Sequence, residues 1–209
     1  MSLHIGDTAP DFTVGTQVGK ISLHDWIGES WCFFFSHPAD FTPVCTTEMG
    51  RTAQLAMDFE VRNTKPLGLS TDTAAEHLKW IADVNDTQNT DLQFPIIADA
   101  DLEISRLYDM IHPDESETAA VRSVYIIDPN KKIRLMMTYP MNVGRNFDEI
   151  LRVIDALQLG DAKQIATPAD WRPGKKVIIP PSISNDEAER LFPQGWEELR
   201  SYLRLTDVN

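Results

Sequence analysis

A continuous apolar run, Trp31-Cys32-Phe33-Phe34-Phe35, closed by Ser36, constrains this 209-residue chain more than any other stretch. A strand with one wet face alternates apolar and polar residues. A run that is apolar at every position marks a strand covered on both faces. Such a strand belongs in the middle of a sheet with layers on either side. The chain then passes through His37-Pro38-Ala39-Asp40-Phe41 to Thr42-Pro43, a helix start. Thr42 suits the N-cap, and Pro43 suits the first helical position, where its missing N–H costs nothing.

The remaining punctuation repeats this alternation. Residues 5–14 read as a short edge strand or loop, Lys20 to Leu23 as a brief strand, and His24 to Ile27 as a turn of helix. The helix from Thr42 is expected to run to about Asn63, with Val44, Leu55 and Phe59 on one side. Leu67-Gly68-Leu69-Ser70 reads as a second buried strand. Thr73-Ala74-Ala75-Glu76 has the spacing of a capping box, opening a helix with Leu78, Ile81 and Val84 inward. Phe94 to Ala98 is a third strand and Leu102 to Tyr108 a short helix. Residues 120–128 and 133–139 form a hairpin about the turn Asp128-Pro129-Asn130-Lys131. A helix from Asn146 to Leu159 carries the stripe Phe147, Ile150, Leu151, Ile154 and Leu157, and Gly160 is expected to end it.

Strands alternating with helices, plus one hairpin, make an α/β domain with a mixed central β-sheet flanked by helices. The order is compatible with a thioredoxin-like topology. Past Gly160 the texture becomes loop-rich, with Thr167-Pro168, Pro173-Gly174 and Pro180-Pro181. Residues 1–160 therefore read as the main domain, and 161–209 as a small C-terminal unit that packs on another surface, such as a partner subunit.

Several function classes fall away. A formal net charge of −13 and no basic cluster argue against nucleic acid. The apolar runs are far shorter than the roughly 20 residues that span a bilayer. Two cysteines and no visible signal peptide point to a reducing, cytoplasmic setting. The histidines and cysteines show neither HxxxH nor CxxC spacing, so neither a metal nor a cofactor site is expected. Gly15-Thr16-Gln17-Val18-Gly19-Lys20 misses the P-loop pattern by one residue, and Ile21 stands where Ser or Thr is needed.

The chemistry concentrates on Cys45. It is the third residue of the helix opened by Thr42, amid unpaired N–H groups and the positive end of the helix dipole, which favour thiolate over thiol. The competing reading is an inert core thiol. Cys32, inside the apolar strand, fits that inert description. Five residues of extended strand, about 16 Å, separate Cys32 from His37 alone. A disulfide between Cys32 and Cys45 would thus need a sharp fold-back. Arg122 interrupts an otherwise apolar strand, which requires an anionic partner if it is buried. An exposed strand end is the alternative. Arg145, beside Gly144, is a weaker case of the same kind. His37 could donate to a substrate oxygen or merely satisfy a loop carbonyl.

Pro38-x-x-x-Thr42-x-x-Cys45 resembles the peroxiredoxin active-site motif, and the whole string HPADFTPVCTTE is similar to the 1-Cys subgroup. The resemblance continues through Pro95-Ile96-Ile97, Arg122, Asp128-Pro129 and Gly144-Arg145-Asn146-Phe147-Asp148-Glu149. It reaches Ala166-Thr167-Pro168-Ala169-Asp170-Trp171 in the C-terminal unit, and so covers nearly the whole chain. It implies a thioredoxin-like fold with a small C-terminal dimerisation arm. Cys45 would be the peroxidatic nucleophile that becomes a sulfenic acid. Thr42 would hydrogen-bond thiolate or peroxide, Arg122 would favour the thiolate and hold substrate, and Pro38 would shield the sulfur. His37 would line the pocket, and Glu48 and Arg145 would orient Arg122 or the loop. The substrates implied are hydrogen peroxide and organic hydroperoxides.

Because no cysteine follows Cys45, the resemblance also implies an external thiol reductant, glutathione or a thioredoxin-type donor. It implies a homodimer, with a decameric ring as a larger assembly. A peroxide sensor or holdase using the same thiolate is the alternative function. Mammalian 1-Cys relatives add a lipase-like GxSxG; here Gly28-Glu29-Ser30-Trp31-Cys32 lacks the last glycine. His24 is retained, and Asn130 stands in the place of the acidic residue, so no phospholipase activity is expected.

Overall fold

The computed structural model describes residues 2–208. The strand expected from the phenylalanine run is β3 (Trp31–Ser36), the fifth of seven strands across a mixed sheet. Ahead of it come β1 (Thr13–Thr16), β2 (Gly19–Ser22) and α1 (Leu23–Ile27). After it come α2 (Pro43–Gln54), α3 (Ala56–Glu60), β4 (Thr64–Ser70), α4 (Ala74–Gln88) and β5 (Ile96–Ala98). Next are α5 (Glu103–Leu107), the hairpin β6 (Arg122–Ile127) and β7 (Ile133–Tyr139), and α6 (Phe147–Lys163). Sheet order is β2-β1-β5-β4-β3-β6-β7; β3, β4 and β5 run parallel, and β6 pairs antiparallel with β3.

Successive side chains of a strand point to opposite faces, and the aromatic contacts of β3 divide that way. Phe33 stacks on Phe35 and on Phe59, with centroids 4.6 and 5.4 Å apart. Phe34 meets Tyr108 at 4.9 Å and Phe12 at 6.0 Å in a second cluster. Both faces are covered, which is why no position of the run needed to be polar. Cys32 lies in the Phe34 cluster.

Chain contacts form two compact units, one up to Phe147 and one from Asp148 onward. In the second, β8 (Val177–Ile179), β10 (Leu203–Thr206) and β9 (Glu197–Arg200) make a three-stranded antiparallel sheet, accompanied by α7 (Asn185–Leu191). Its small core gathers Ile165, Trp171, Val177, Ile179 and Phe192, and takes in Ala156 and Leu159 of α6. Those contacts group most of α6 with the C-terminal unit, although the change of texture in the sequence falls at residue 160.

Three local expectations are corrected. The helix from Pro43 breaks at Leu55, whose φ of −90° and ψ of 14° leave the helical region, and the chain resumes as α3. In α4 the capping box of Thr73 and Glu76 forms, but the enclosed residues are His77, Trp80 and Val84; Leu78 is 58% exposed. Hydrogen bonds to His77 and the bulk of Trp80 turn the helix by about one residue from the aliphatic reading. Finally, α6 runs past Gly160 to Lys163 and ends at Gln164, in the left-handed region at φ 54°. Gly160 lies instead where the Ile165 carbonyl approaches within 3.4 Å of the place a Cβ would occupy.

Candidate active site

Cys45 occupies the expected place, third in α2, after Thr42 at the N-cap (φ −114°, ψ 147°) and Pro43 at the first helical position. The Thr42 hydroxyl does not cap the helix. It donates to the Ala39 carbonyl at 2.8 Å, tying the preceding loop together. The Thr42 carbonyl accepts from the Thr46 amide at 3.0 Å, closing the first helical turn around Cys45. Pro38, half-buried, lies in the same loop.

The sulfur of Cys45 is wholly enclosed and accepts from Arg122 Nη1 at 3.3 Å. Arg122 opens β6 and is 2% exposed, so the alternative of a solvated strand end is excluded. The same Nη1 donates to Glu48 Oε2 at 2.8 Å, and Nε and Nη2 both donate to the Met141 carbonyl, at 3.0 and 2.7 Å. Glu48, one helical turn after Cys45 on α2, is shared with Arg145. Its Oε1 accepts from the Arg145 amide at 2.8 Å and from Nε at 2.9 Å, and its Oε2 from Nη2 at 2.6 Å. Arg145 Nη1 donates to the carbonyls of Ser36 and Ser123, at 2.8 and 3.1 Å. Its guanidinium lies 4.8 Å from the Phe35 ring.

Burial alone would push the Glu48 carboxyl up. The Arg145 charge and hydrogen bonds, with the Arg122 charge, more than offset this and hold it below the usual carboxylate range. Two guanidinium groups thus share one ionised carboxylate beside the thiol.

His37 belongs to a second network. Its side chain is fully enclosed, and Nε2 lies 2.9 Å from Asp40 Oδ1; Asp40 Oδ2 lies 2.6 Å from His77 Nδ1. Sequence reasoning missed Asp40 and His77. The available signal was the spacing of His77, Trp80 and Val84 on one face of α4, read instead as an aliphatic stripe. It also missed the carbonyls of Ser36 and Met141, which no side-chain motif reveals. His37, Asp40 and Asp72 bring potential ligand atoms within 4.8 Å of one another. Hydrogen bonds already engage the carboxylates: Asp72 Oδ2 accepts from the Asp40 amide and the Ser70 hydroxyl, both at 2.8 Å.

Cys32 and Cys45 are both free. Burial raises the Cys32 thiol far above its ordinary value, in keeping with an inert core residue. The Ser30 hydroxyl donates to Asn63 Oδ1 at 2.9 Å, and His24 Nε2 bonds the Ala9 carbonyl at 2.8 Å. Asn130 is exposed.

The site is thus a buried thiol at a helix N-terminus, held by an arginine that shares a carboxylate with a second arginine. Residues 5–136 match the AhpC/TSA family, and residues 156–195 match the C-terminal domain of 1-Cys peroxiredoxin. The chain belongs to the 1-Cys peroxiredoxins. It is 48% identical to the 1-Cys peroxiredoxin of Dictyostelium discoideum, over 98% of this chain and 85% of that protein. It is 46% identical to peroxiredoxin-6 of Mus musculus, over 98% and 97% respectively. Among solved structures, the yeast mitochondrial 1-Cys peroxiredoxin superposes with a TM-score of 0.93 at 48% identity, covering 99% of this chain and all of that one. Peroxiredoxin 6 of Arenicola marina follows at 0.92 and 44% identity, covering 99% and 98%. This peroxiredoxin is accordingly a thiol-dependent peroxidase with a thioredoxin-like fold and an added C-terminal domain.

Proposed function

We propose that Cys45 is the peroxidatic residue, reducing hydrogen peroxide and small organic hydroperoxides. The thiolate sulfur attacks one peroxide oxygen; the S–O bond forms as the O–O bond breaks. The distal oxygen leaves with the electron pair, takes a proton and departs as water or an alcohol. Arg122 stabilises the thiolate and the charge developing across the breaking bond, while Glu48 and Arg145 hold Arg122 in place. Thr42 and Pro38 shape the approach, and His37 contributes from its side of the loop. The contact that carries this reading is the 3.3 Å bond from Arg122 Nη1 to Cys45 Sγ, backed by the Glu48 bridge.

The sulfenic acid is then reduced from outside: a thiol attacks its sulfur, water leaves, and a second thiol releases the resulting mixed disulfide. Cys32 is shut in the core and no cysteine follows Cys45, so no resolving thiol is at hand within the chain. Glutathione or a thioredoxin-type donor is the reductant we favour; the solved structure of the yeast relative concerns thiol resolution via glutathione and thioredoxin systems. We place the protein in the cytoplasm, where two free thiols persist, as a homodimer with a decameric ring as its larger assembly. No helix among the described residues is long and apolar enough to cross a membrane. Peroxide consumption with glutathione or thioredoxin tests the scheme. Cys32→Ser is expected to keep multiple turnovers and Cys45→Ser none; turnover by Cys45→Ser would overturn it.

A further inference from the structure

Asp40 stands between two histidines, and all three side chains are fully enclosed. The donor and acceptor roles can be worked out from the partners. His77 Nδ1 faces the Asp40 carboxylate at 2.6 Å, and its Nε2 faces the Ile97 carbonyl at 3.2 Å. The carboxylate accepts, so His77 donates to it from Nδ1 and fixes Asp40 from the side opposite His37. Burial would push the Asp40 carboxyl up, but hydrogen bonds from His37 and His77 bring it below its ordinary value, so it stays ionised.

His37 Nε2 must likewise donate to Asp40, at 2.9 Å. Burial lowers the His37 imidazole; the Asp40 contact opposes this, while His77 and Arg145 add to it, and the net direction is down. The ring is therefore neutral, and its Nδ1 carries a lone pair. That nitrogen is enclosed and has no hydrogen-bond partner among the described residues. Leaving a buried polar atom unmatched is costly, and such atoms are rare enough to need a reason.

The surroundings of His37 supply one. Its ring centroid lies 5.1 Å from that of Trp80, whose Nε1 donates to Thr46 Oγ1, on the residue after Cys45. Ser36, the residue before His37, gives its carbonyl to Arg145. His37 is thus tied on two sides to the groups that hold Cys45. The side chain that contacts the sulfur is a donor, the Arg122 guanidinium, with the N–H groups of the first turn of α2 beside it. The Glu48 carboxylate is already engaged by four hydrogen bonds from Arg122 and Arg145. A hydroperoxide or a sulfenic acid also carries an O–H, and in a closed site that hydrogen needs an acceptor.

From these contacts we infer that Asp40 and His77 are positioning residues for peroxide reduction. They lock His37 in the Nε2–H tautomer, which reserves its Nδ1 lone pair for the O–H of the bound hydroperoxide and then of the Cys45 sulfenic acid. The inference rests on the peroxidase reading of Cys45.

Nitrogen-15 NMR of histidine-labelled reduced protein, with His37→Gln used for assignment, reads the tautomer directly. The expected result at pH 7 is a protonated Nε2 and a bare Nδ1 on His37. Asp40→Asn removes the charge and lets the tautomers mix. The second-order rate of Cys45 oxidation by hydrogen peroxide is then expected to fall roughly tenfold, the worth of one oriented hydrogen bond. Thiolate absorbance near 240 nm should titrate as in the wild type. His77→Gln keeps a donor to Asp40 without the rigid imidazole ring, and should fall between the two. If Asp40→Asn does not fold, His77→Gln and the wild-type spectrum still decide the matter. A protonated Nδ1 in the wild type, or wild-type rates in the folded variants, overturns the inference alone. Wild-type protein inert to peroxide sinks the peroxidase reading itself, and shows before any variant is compared.

Discussion

Glu48→Gln preserves shape and removes one charge, and the geometry sets the size of the effect. The carboxylate accepts four hydrogen bonds, from the Arg145 amide, Nε and Nη2 and from Arg122 Nη1. A glutamine has one acceptor oxygen. If it keeps the Arg145 amide and Nε, its own amide N–H group is turned against Arg145 Nη2 and Arg122 Nη1. Two charge-assisted bonds are lost, at about 1.5–3 kcal/mol each. The sum, about 3–6 kcal/mol, brackets the cost of about 3–5 kcal/mol for breaking a buried ion pair. For a chain of this size that lowers Tm by roughly 10 °C. Arg122 also loses the support that aims it at the sulfur, so Cys45 oxidation should slow by about 10²-fold, as when one oriented donor is removed from an active site.

Stopped-flow oxidation by hydrogen peroxide and thermal unfolding, measured across pH, check both figures. The sign of the pH effect is fixed by the depressed Glu48 carboxyl. Its contribution is fully present above the ordinary carboxylate range and is lost as pH falls through its folded value. The Tm gap between wild type and Glu48→Gln should therefore narrow below about pH 4. A variant within twofold of the wild-type rate and within a degree or two in Tm would refute the claim that this carboxylate holds the site.

Two further outcomes follow from close packing and from the Ser30 contacts. A Cβ on Gly50 would lie 2.3 and 2.4 Å from Cγ and Cβ of Gln88, so Gly50→Ala must force α2 away from α4. It should cost about 1–3 kcal/mol in urea unfolding, and Gln88→Gly on the same background should recover much of it. Phosphatidylcholine vesicles should yield no fatty acid with the purified protein, because Ser30 is bonded to Asn63 and the third position is Asn130; release abolished by Ser30→Ala would contradict this.

The frame of the molecule was legible wherever one local signal decided the matter. The phenylalanine run located the central strand, Thr42-Pro43 the start of α2, and Thr73 with Glu76 the capping box. Arg122 was legible because a charge in an apolar strand demands a partner, although its partner Glu48 was reached only through the family motif. What could not be read were contacts between distant segments. His77 looks like an ordinary polar residue until the fold brings Asp40 to it, 37 positions away. The Met141 and Ser36 carbonyls, common to every residue type, acquire a role only from where the backbone leads. Breaks of one residue, such as Leu55, lay beyond periodicity, since Val44 and Phe59 fit an unbroken helix equally well.

The shared carboxylate also determines how the site's charge changes during turnover. With Cys45 in the proposed thiolate form, two guanidinium groups, one carboxylate and one thiolate sum to zero, so the reduced pocket is balanced when it meets an uncharged peroxide. On the proposed scheme, oxidation of Cys45 to the neutral sulfenic acid removes one negative charge while Arg122, Arg145 and Glu48 keep theirs, leaving a surplus of one positive charge in an enclosed, weakly screened space. The next reactant is an external thiol, reactive as an anion. The pocket thus reverses its preference at the moment the reaction needs it: indifferent to charge for the oxidant, attractive to anions for the reductant.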